Sequence, residues 1–475
     1  MVIKNNIKIK NFGPIKEADI NIAPLTIFVG SNSSGKSYSA LLIHSLLNPF
    51  NKNPPNLLHN FSLKSLDFLW NNNKELFDEY NEKFLNYLDS KPDFYEEPFI
   101  FPEEKFNQLL YDGAGRYYEE VVERKIKENF CNDLNKLNNI IDKENFVLSF
   151  NNVELENEDG KLKFRNFSPN HDEDNESHGE MMLSVERDGE NISITLNYML
   201  LFEITKKRDI LPMFIYSLIS EGLFYNLKQN SYYIPASSYR IYYDFNSYLT
   251  DEINGSVKPS TLEKELLASL LNDKHSNKSP FYDLAEEMSN EILNSSLIFN
   301  SDVGEDIKLV DDKYDVEFDF PLVSSSVKEL SSLIKYLKDE LDIGDTLILE
   351  EPENHLHPEN QRILVKYIVK SINLGLNIIL TTHSDYILEQ FNNLIRLGKV
   401  NQDKLNELGY CDENILNHED IKIYNFKKVS DYLYVPNEVD VNETGFNDEN
   451  FSEVTDELYN ESVDIIRAMT RWFFA

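Results

Sequence analysis

The first fifty residues alternate between apolar and polar positions and then turn helical. Alternating segments at residues 7–10 and 18–22 flank a turn at Gly13, which predicts a β-hairpin. The β-branched and aromatic run at residues 25–29 predicts a buried strand. Apolar residues at helical spacing over 39–47 predict a helix that follows this strand after a short loop.

Beyond residue 50 the pattern changes repeatedly between helical and extended. Helical spacing predicts helices over residues 61–138, 212–227, 240–300 and 451–472. Period-two alternation or short apolar runs predict strands at residues 145–167, 181–204, 231–235, 306–320, 346–349, 377–382 and 421–426. Polar stretches at 51–60 and 170–180 predict loops. This mixture of elements predicts an α/β fold.

The charge balance narrows the class of partner. Against 46 Lys and Arg residues stand 82 Asp and Glu residues, a net charge of −36. Coating nucleic acid requires basic residues at the phosphates, so this balance disfavours non-specific binding and leaves only a local basic channel open.

The sequence also bears on the compartment. Cys131 and Cys411 have no metal-like spacing, which favours reduced thiols in the cytoplasm. The N-terminus lacks the apolar core of a signal peptide, and no stretch is long and apolar enough for a membrane span. We therefore expect a cytoplasmic protein without a membrane partner.

The loop between the predicted strand and helix matches the phosphate-binding pattern G-x-x-x-x-G-K-[ST]. Its glycines permit backbone angles that turn successive N–H groups toward a phosphate, and the helix N-terminus adds partial positive charge. Lys36 is expected to reach the β- and γ-phosphates of ATP, and Ser37 to bind Mg²⁺. The predicted nucleotide-binding residues are Gly30, Ser31, Asn32, Ser33, Ser34, Gly35, Lys36, Ser37 and Tyr38.

Two later strands end in further candidate chemistry. The apolar strand at 346–349 leads into Glu350-Glu351. In P-loop ATPases a first carboxylate here helps to hold Mg²⁺, and the next one activates the attacking water. We therefore assign Glu350 to the metal and Glu351 to the general base. The strand at 377–382 ends at His383, which is placed to sense or stabilise the γ-phosphate.

The motif Glu350-Glu351-Pro352-Glu353-Asn354-His355-Leu356-His357-Pro358, with Thr381-Thr382-His383-Ser384, resembles the ABC-type ATPase heads of the SMC, RecF and OLD group. The opening Lys10-Asn11-Phe12-Gly13-Pro14 and the P-loop are similar to the same group. The resemblance implies a P-loop head with a mixed sheet flanked by helices, an antiparallel β subdomain and helical inserts. It implies Mg²⁺-dependent ATP hydrolysis, with His383 as the switch histidine.

The resemblance also implies a division of the chain. The head would comprise residues 1–50 and 231–396, with an insert at 51–230 and an acidic C-terminal segment at 397–475. Residues 354–357 stand where the family has its D-loop. Residues 324–330 are similar to the signature loop that caps ATP on a partner subunit, with Ser325 and Ser326 as nucleotide contacts and a helix following over 331–340. Ser326 and Ser33 replace glycines that are usual in the family.

Heads of this group form head-to-tail dimers or higher homo-oligomers around ATP. Residues 384–475 lack the carboxylate pattern of the Toprim nuclease found in OLD proteins, so we expect an ATPase without that domain. Stand-alone ATPases of this kind resemble subunits of bacterial anti-phage systems, including the PARIS and Septu types. The combination of Ser324-Ser325-Ser326, residues 353–361 and a short Tyr424-Asn425-Phe426 tail is most similar to the PARIS type, with the Septu type next. That resemblance implies a separate effector, in particular a nuclease, and a phage protein or DNA as trigger.

Two other functions remain open from sequence. A RecF-like or SMC-like repair ATPase would bind DNA ends or gaps through a basic surface, which the net charge disfavours. The ATP-binding subunit of a transporter would have a more compact head, which the long stretch between residues 50 and 320 disfavours.

Overall fold

A computed structural model describes two compact units of the chain. Unit 1 comprises Met1–His44, Lys136–Glu144 and Ser231–Ala475, and unit 2 comprises Ser45–Asn135 and Asn145–Asn230. The described residues are 6–47, 73–90, 99–102, 105, 122–131, 133–139, 141, 143–150, 153–159, 161–167, 183–188, 191–196, 230–236, 238, 262–266, 278–299, 308–311, 314, 316–446, 459–463 and 465–466.

The strands, numbered in chain order, begin and end as follows. They are β1 (Asn6–Phe12), β2 (Ile15–Asn21), β3 (Leu25–Gly30), β4 (Phe99–Pro102), β5 (Val147–Phe150), β6 (Val153–Glu158), β7 (Lys161–Phe167), β8 (Leu183–Asp188), β9 (Asn191–Leu196), β10 (Ser231–Ile234), β11 (Ser296–Ile298), β12 (Lys308–Asp311), β13 (Val316–Asp319), β14 (Thr346–Glu350), β15 (Asn377–Thr381), β16 (Ile421–Ser430), β17 (Leu433–Val439), β18 (Val441–Asn442) and β19 (Gly445–Phe446).

The helices are numbered in the same way. They are α1 (Lys36–Leu47), α2 (Lys74–Ser90), α3 (Tyr282–Leu293), α4 (Ser325–Asp339), α5 (Pro358–Asn373), α6 (Asp385–Arg396) and α7 (Gln402–Glu407). Short helical segments also occur at 122–129, 262–266 and 459–463.

Unit 1 is built on a mixed sheet whose strands lie in the order β10-β14-β15-β3-β16-β17-β2-β1. The five strands from β10 to β16 are parallel. Strand β17 pairs antiparallel with β16 and parallel with β2, and β2 forms an antiparallel hairpin with β1. The predicted α/β class, with a mixed sheet and an N-terminal hairpin, is confirmed.

The central strand β3 shows why the sheet is stable. All six of its residues are buried, and its alternate side chains contribute to different layers. Leu25, Ile27 and Val29 belong to the core shared with helices α3 to α6. On the opposite face, the ring of Phe28 packs edge-on against Tyr424 and Phe426 of β16. A strand buried on both faces reads as a continuous apolar run, as in this sequence.

The neighbour of β3 on one side is β16, although the two strands are far apart in sequence. Ile421 pairs with Leu25, and Phe426 pairs with Gly30 at the start of the P-loop. The segment beyond residue 397 therefore supplies a central strand of unit 1 besides its acidic residues.

Unit 2 contains the antiparallel strands β5-β6-β7 and a separate sheet in the order β4-β9-β8. Helix α2 buries Phe77 and Tyr80, consistent with the helical spacing. The prediction of helix throughout 61–138 is wrong at β4, where Phe99–Pro102 pairs with β9. The aromatic run around Pro102 suits an edge strand, since β4 pairs on one side only.

Other predictions were tested in part. The alternating segments at 145–167 and 181–204 contain β5 to β9, and the strands at 231–235 and 306–320 are confirmed by β10, β12 and β13. Within the predicted helical stretch 240–300, residues 296–298 form strand β11 because they pair with β12. The loops at 51–60 and 170–180 and the helix at 212–227 lie outside the described residues. In the part of the chain that the structure describes, no helix is long and apolar enough to cross a membrane.

We expect truncation of one buried strand residue to weaken unit 1. Leu380 is fully buried in β15. Leu380→Ala removes packing contacts and leaves a cavity, so it should lower the free energy of unfolding by about 2–5 kcal/mol. Leu408 is 59% exposed, so Leu408→Ala should change it by at most about 0.5 kcal/mol. Urea denaturation followed by circular dichroism measures both, and equal shifts of the two midpoints would contradict this description of the core.

Candidate nucleotide site

The P-loop has the backbone conformation that a phosphate cradle requires. Gly30, Ser33 and Gly35 have positive φ angles of 138°, 61° and 100°. At Gly30 a Cβ atom would lie 3.0 Å from the backbone oxygen of Phe426, and at Gly35 it would lie 2.3 Å from Cδ1 of Ile15. Both positions therefore require glycine, for space as well as for φ.

Lys36 begins helix α1 and is buried, with 5% of its surface exposed. Its ammonium donates hydrogen bonds to the backbone oxygens of Gly30 and Ser31, each at 2.9 Å. Burial lowers the pKa of Lys36 to about 8, although Glu351, Glu353 and Glu350 oppose the shift. Two of the three ammonium N–H groups are thus directed at carbonyl oxygens of the loop itself.

Glu350 ends strand β14, where it is anchored by residues of the neighbouring strand β10 and its following turn. Its Oε2 accepts a hydrogen bond of 3.4 Å from the backbone N–H of Ala236, and its carboxylate is also hydrogen-bonded to the Tyr233 side chain. Burial and the Glu350 carboxylate together hold the pKa of Tyr233 well above its ordinary value, so Tyr233 stays a donor. The second oxygen, Oε1, is buried without a partner.

Glu351 lies in a tight turn directly after β14, with φ at +43°. Its backbone N–H donates to the backbone oxygen of Thr381 at 2.9 Å, which ties the turn to the end of β15. Its carboxylate accepts a hydrogen bond of 3.3 Å from Nδ2 of Asn354, and Oε1 lies 3.7 Å from Nε2 of His383. The candidate base and the candidate switch histidine are therefore neighbours.

His383 stands between opposite charges. Burial and Lys36 lower its pKa, while Glu351 raises it, and the net shift is downward. A lowered pKa keeps the ring neutral at physiological pH, so one ring nitrogen can donate a hydrogen bond while the other accepts one.

Glu353 was not singled out from sequence, yet its carboxylate accepts two hydrogen bonds from the segment that carries His383. Its Oε1 accepts hydrogen bonds from the backbone N–H of His383 at 2.6 Å and from the hydroxyl of Thr382 at 2.9 Å. Burial raises the pKa of its carboxyl group, and Oε2 is buried without a partner. The partners of Glu353 lie about thirty residues away along the chain, so no local signal could have revealed them.

The signature-like segment is helical, which corrects its predicted extent. The helix was predicted to begin at Ser331, but α4 begins at Ser325 because the Ser324 side chain accepts from the N–H of Val327 as an N-cap. Ser325 is exposed, and Ser326 is half-buried. The hydroxyl of Ser326 donates to the backbone oxygen of His355 at 2.6 Å, so this segment contacts the turn of its own chain.

The two histidines after the double carboxylate lie in the turn and at the N-cap of the helix that follows it. His357 caps helix α5 by accepting from the N–H of Glu359 at 3.4 Å, and His355 has a φ of +62° in the turn. Within the described ranges, no group of three or more His, Cys, Asp or Glu residues is arranged to hold a metal ion by itself.

Tyr38 lies beside the N-terminal hairpin. Its ring is 40% exposed and packs edge-on against Phe12, with the centroids 6.2 Å apart. Gly13 leaves room for this ring, because a Cβ there would meet it at 2.9 Å. The nucleotide contact predicted for Tyr38 stays a prediction.

A profile of the AAA ATPase domain family, AAA_15, matches residues 1–388 of the chain. The chain belongs to this family. Family membership implies that the protein binds and hydrolyses ATP, in agreement with the P-loop predicted from sequence. The chain has no match among curated proteins.

Solved SMC head domains show a distant similarity. An SMC head bound to the C-terminal winged-helix domain of ScpA is 12% identical, with a TM-score of 0.38 over 91% of this chain and 97% of that one. The SMC head domain from Thermotoga maritima is 12% identical, with a TM-score of 0.32 over 93% and 100%. An SMC head bound to the C-terminal domain of ScpA derived from Pyrococcus furiosus is 10% identical, with a TM-score of 0.39 over 96% and 98%. Similarity at this level adds no detail to the site.

The residues of this ATPase fit a triphosphate with a divalent cation. The loop has the backbone shape of a phosphate cradle, and Ser37 is exposed at its end. The Oγ of Ser34 and the Oε1 of Glu350 are buried polar atoms without partners. Carboxylate and hydroxyl oxygens are the ligand types that Mg²⁺ prefers.

The lowered pKa of Lys36 predicts a pH dependence of ATP binding. The charged form attracts phosphate, so affinity should fall as pH rises through about 8, the pKa of the free site. From pH 7 to pH 9 the charged fraction falls about tenfold, and we expect Kd to rise by about the same factor. Titration with a fluorescent ATP analogue measures Kd, and Lys36→Arg, which keeps its charge, should give a flat profile. A flat wild-type profile would contradict the lowered pKa of Lys36, and tight binding by Lys36→Ala would contradict a role for the lysine charge.

Proposed function

We propose that this ATPase is a Mg²⁺-dependent switch in which two copies close on ATP and reopen after hydrolysis. The proposal is carried by one observation: Lys36, Glu350, Glu351 and His383 converge where three parallel strands end. Ligands of α/β proteins bind outside the carboxyl ends of such strands.

Each of these residues has a role in the proposed reaction. The N–H groups of the P-loop and Lys36 hold the phosphates, and Ser37 and Glu350 hold the Mg²⁺. The cation, when bound, neutralises charge on the β- and γ-phosphate oxygens. Glu351 accepts a proton from the attacking water, and neutral His383 donates a hydrogen bond toward the γ-phosphate.

The exposure of both candidate ATP-binding segments supports a second copy. Ser31, Asn32, Ser33 and Ser37 are exposed on the P-loop, and Ser325 is exposed at the start of α4. In the proposed head-to-tail dimer, the P-loop of one copy faces Ser325 and Ser326 of the other. ATP then contributes to the interface, so its hydrolysis weakens the dimer.

We expect Glu351→Gln to trap the closed dimer. The amide keeps the volume of the side chain but cannot accept the proton, so hydrolysis should fall by about 10²–10⁴-fold. Analytical ultracentrifugation with ATP and Mg²⁺ should show dimers of Glu351→Gln, and monomers when Lys36→Ala is added. Hydrolysis at the wild-type rate would assign the base to another residue. Monomers of Glu351→Gln at saturating ATP would contradict the switch.

We further propose that the switch controls a separate effector in bacterial anti-phage defence. The support is the resemblance of Ser324-Ser325-Ser326, residues 353–361 and Tyr424-Asn425-Phe426, taken together, to stand-alone ATPases of the PARIS type. The net charge of −36 favours a partner with a basic docking surface. The trigger in this proposal is a phage protein or phage DNA.

Expression of the chain with its neighbouring gene in a host strain tests the defence role. Protection should appear as a lower efficiency of phage plating, and it should be lost in Lys36→Ala because the switch cannot bind ATP. A neighbouring toxic effector gene supports the proposal. A permease gene, or ATP-dependent DNA binding without protection, would replace it with the transporter or repair function.

A further inference from the structure

We propose that Glu353 is the positioning residue for His383 in ATP hydrolysis. The inference rests on the proposed role of His383 and adds a residue to which no role had been assigned. Glu353 acts through the backbone of the histidine and, on this proposal, does not touch the nucleotide.

His383 is held more closely by its backbone than by its ring. Its ring is about one-third exposed, and Nε2 lies 3.7 Å from Glu351 Oε1, beyond the usual hydrogen-bond distance. Its backbone N–H, in contrast, donates to Glu353 Oε1 at 2.6 Å. A hydrogen bond to a carboxylate is roughly twice as strong as a neutral one. The direction of the His383 side chain thus depends on a backbone contact more than on the ring.

The turn between β14 and α5, which carries Glu353, is held by several hydrogen bonds. Gln361 Nε2 donates to the backbone oxygen of Leu356 at 3.0 Å, and Ser384 Oγ donates to Gln361 Oε1 at 2.5 Å. The residues on both sides of His383 are therefore tied to the turn that carries the candidate base Glu351.

Burying the Glu353 carboxylate in this turn costs free energy. A carboxylate with one buried and unpartnered oxygen is expensive, because burial disfavours the charge and Oε2 gains no hydrogen bond. An apolar residue would fill the turn without that cost. In return, Oε1 of Glu353 accepts two hydrogen bonds, one from the Thr382 hydroxyl and one from the His383 backbone N–H. Both donors lie directly after the end of β15, where the chain enters the candidate site.

A double-mutant cycle tests this inference. Glu353→Ala should lower the single-turnover rate of hydrolysis by about 10–100-fold. The Kd for ATP, measured at about pH 6.5 so that Lys36 stays charged without Glu353, should change less than about threefold, since the phosphate contacts remain. In a His383→Ala background the same substitution should have at most about a twofold effect, because the residue through which it acts is gone. Glu353→Gln keeps an acceptor oxygen and the side-chain volume, and should recover part of the rate.

Four outcomes separate the possibilities. Equal rate losses from Glu353→Ala in the presence and absence of His383 would overturn the inference, since a general loss of stability acts in both backgrounds. An unchanged rate in Glu353→Ala would overturn it as well. A full rate in His383→Ala, with binding lost in Lys36→Ala, would refute the role of His383 and leave the nucleotide site standing. If Glu353→Ala does not show a cooperative thermal transition, the cycle is run with Glu353→Gln, for which we expect about a threefold or greater loss that vanishes in His383→Ala.

Discussion

The parallel register of β3, β14 and β15 is the constraint on which the candidate site depends. Glu350 pairs with Thr381, and Thr381 pairs with Phe28, so the three strands end at nearly the same level. The P-loop, the turn of Glu351 and the candidate switch histidine His383 leave the sheet together, although they are far apart in sequence. A slip of one residue in β14 would turn Glu350 to the opposite face of the sheet. The apolar runs that fix this register thereby also fix the chemistry.

Electrostatics give the free site a definite resting state. Lys36 is buried near Glu350, Glu351 and Glu353, and it binds the carbonyl oxygens of Gly30 and Ser31. Three glutamate side chains therefore lie near one buried ammonium group. A triphosphate adds more negative charge, so it gains affinity from a divalent cation and from each N–H group that the P-loop directs inward. The two hydrogen bonds from Lys36 to carbonyl oxygens of the loop hold its charge next to the phosphate cradle.

Local patterns were sufficient to predict the parts of the site that are contiguous in sequence. The P-loop between β3 and α1, and the carboxylates at the end of β14, follow from short motifs next to apolar runs. Pairing of β16 with β3 could not be predicted, because it joins residues almost 400 positions apart and no local pattern marks the two strands as neighbours. The hydrogen bonds of Glu353 could not be predicted either, because their donors lie about thirty positions away along the chain. The start of α4 was misplaced because residues 324–330 were assigned to a loop by resemblance, whereas Ser324 caps a helix there by accepting the N–H of Val327.

The distribution of backbone strain points to the same turn as the hydrogen bonds. Three non-glycine residues around the candidate site adopt left-handed angles: Ser33, Glu351 and His355. Each costs on the order of 1 kcal/mol and persists only where its surroundings enforce it. For Glu351 the enforcement comes from Thr381, and for His355 its carbonyl accepts from Ser326. The segment proposed to cap ATP on a second copy therefore also supports the turn of its own chain that carries the candidate base, so on that proposal a change at Ser326 would affect both sides of a closed dimer.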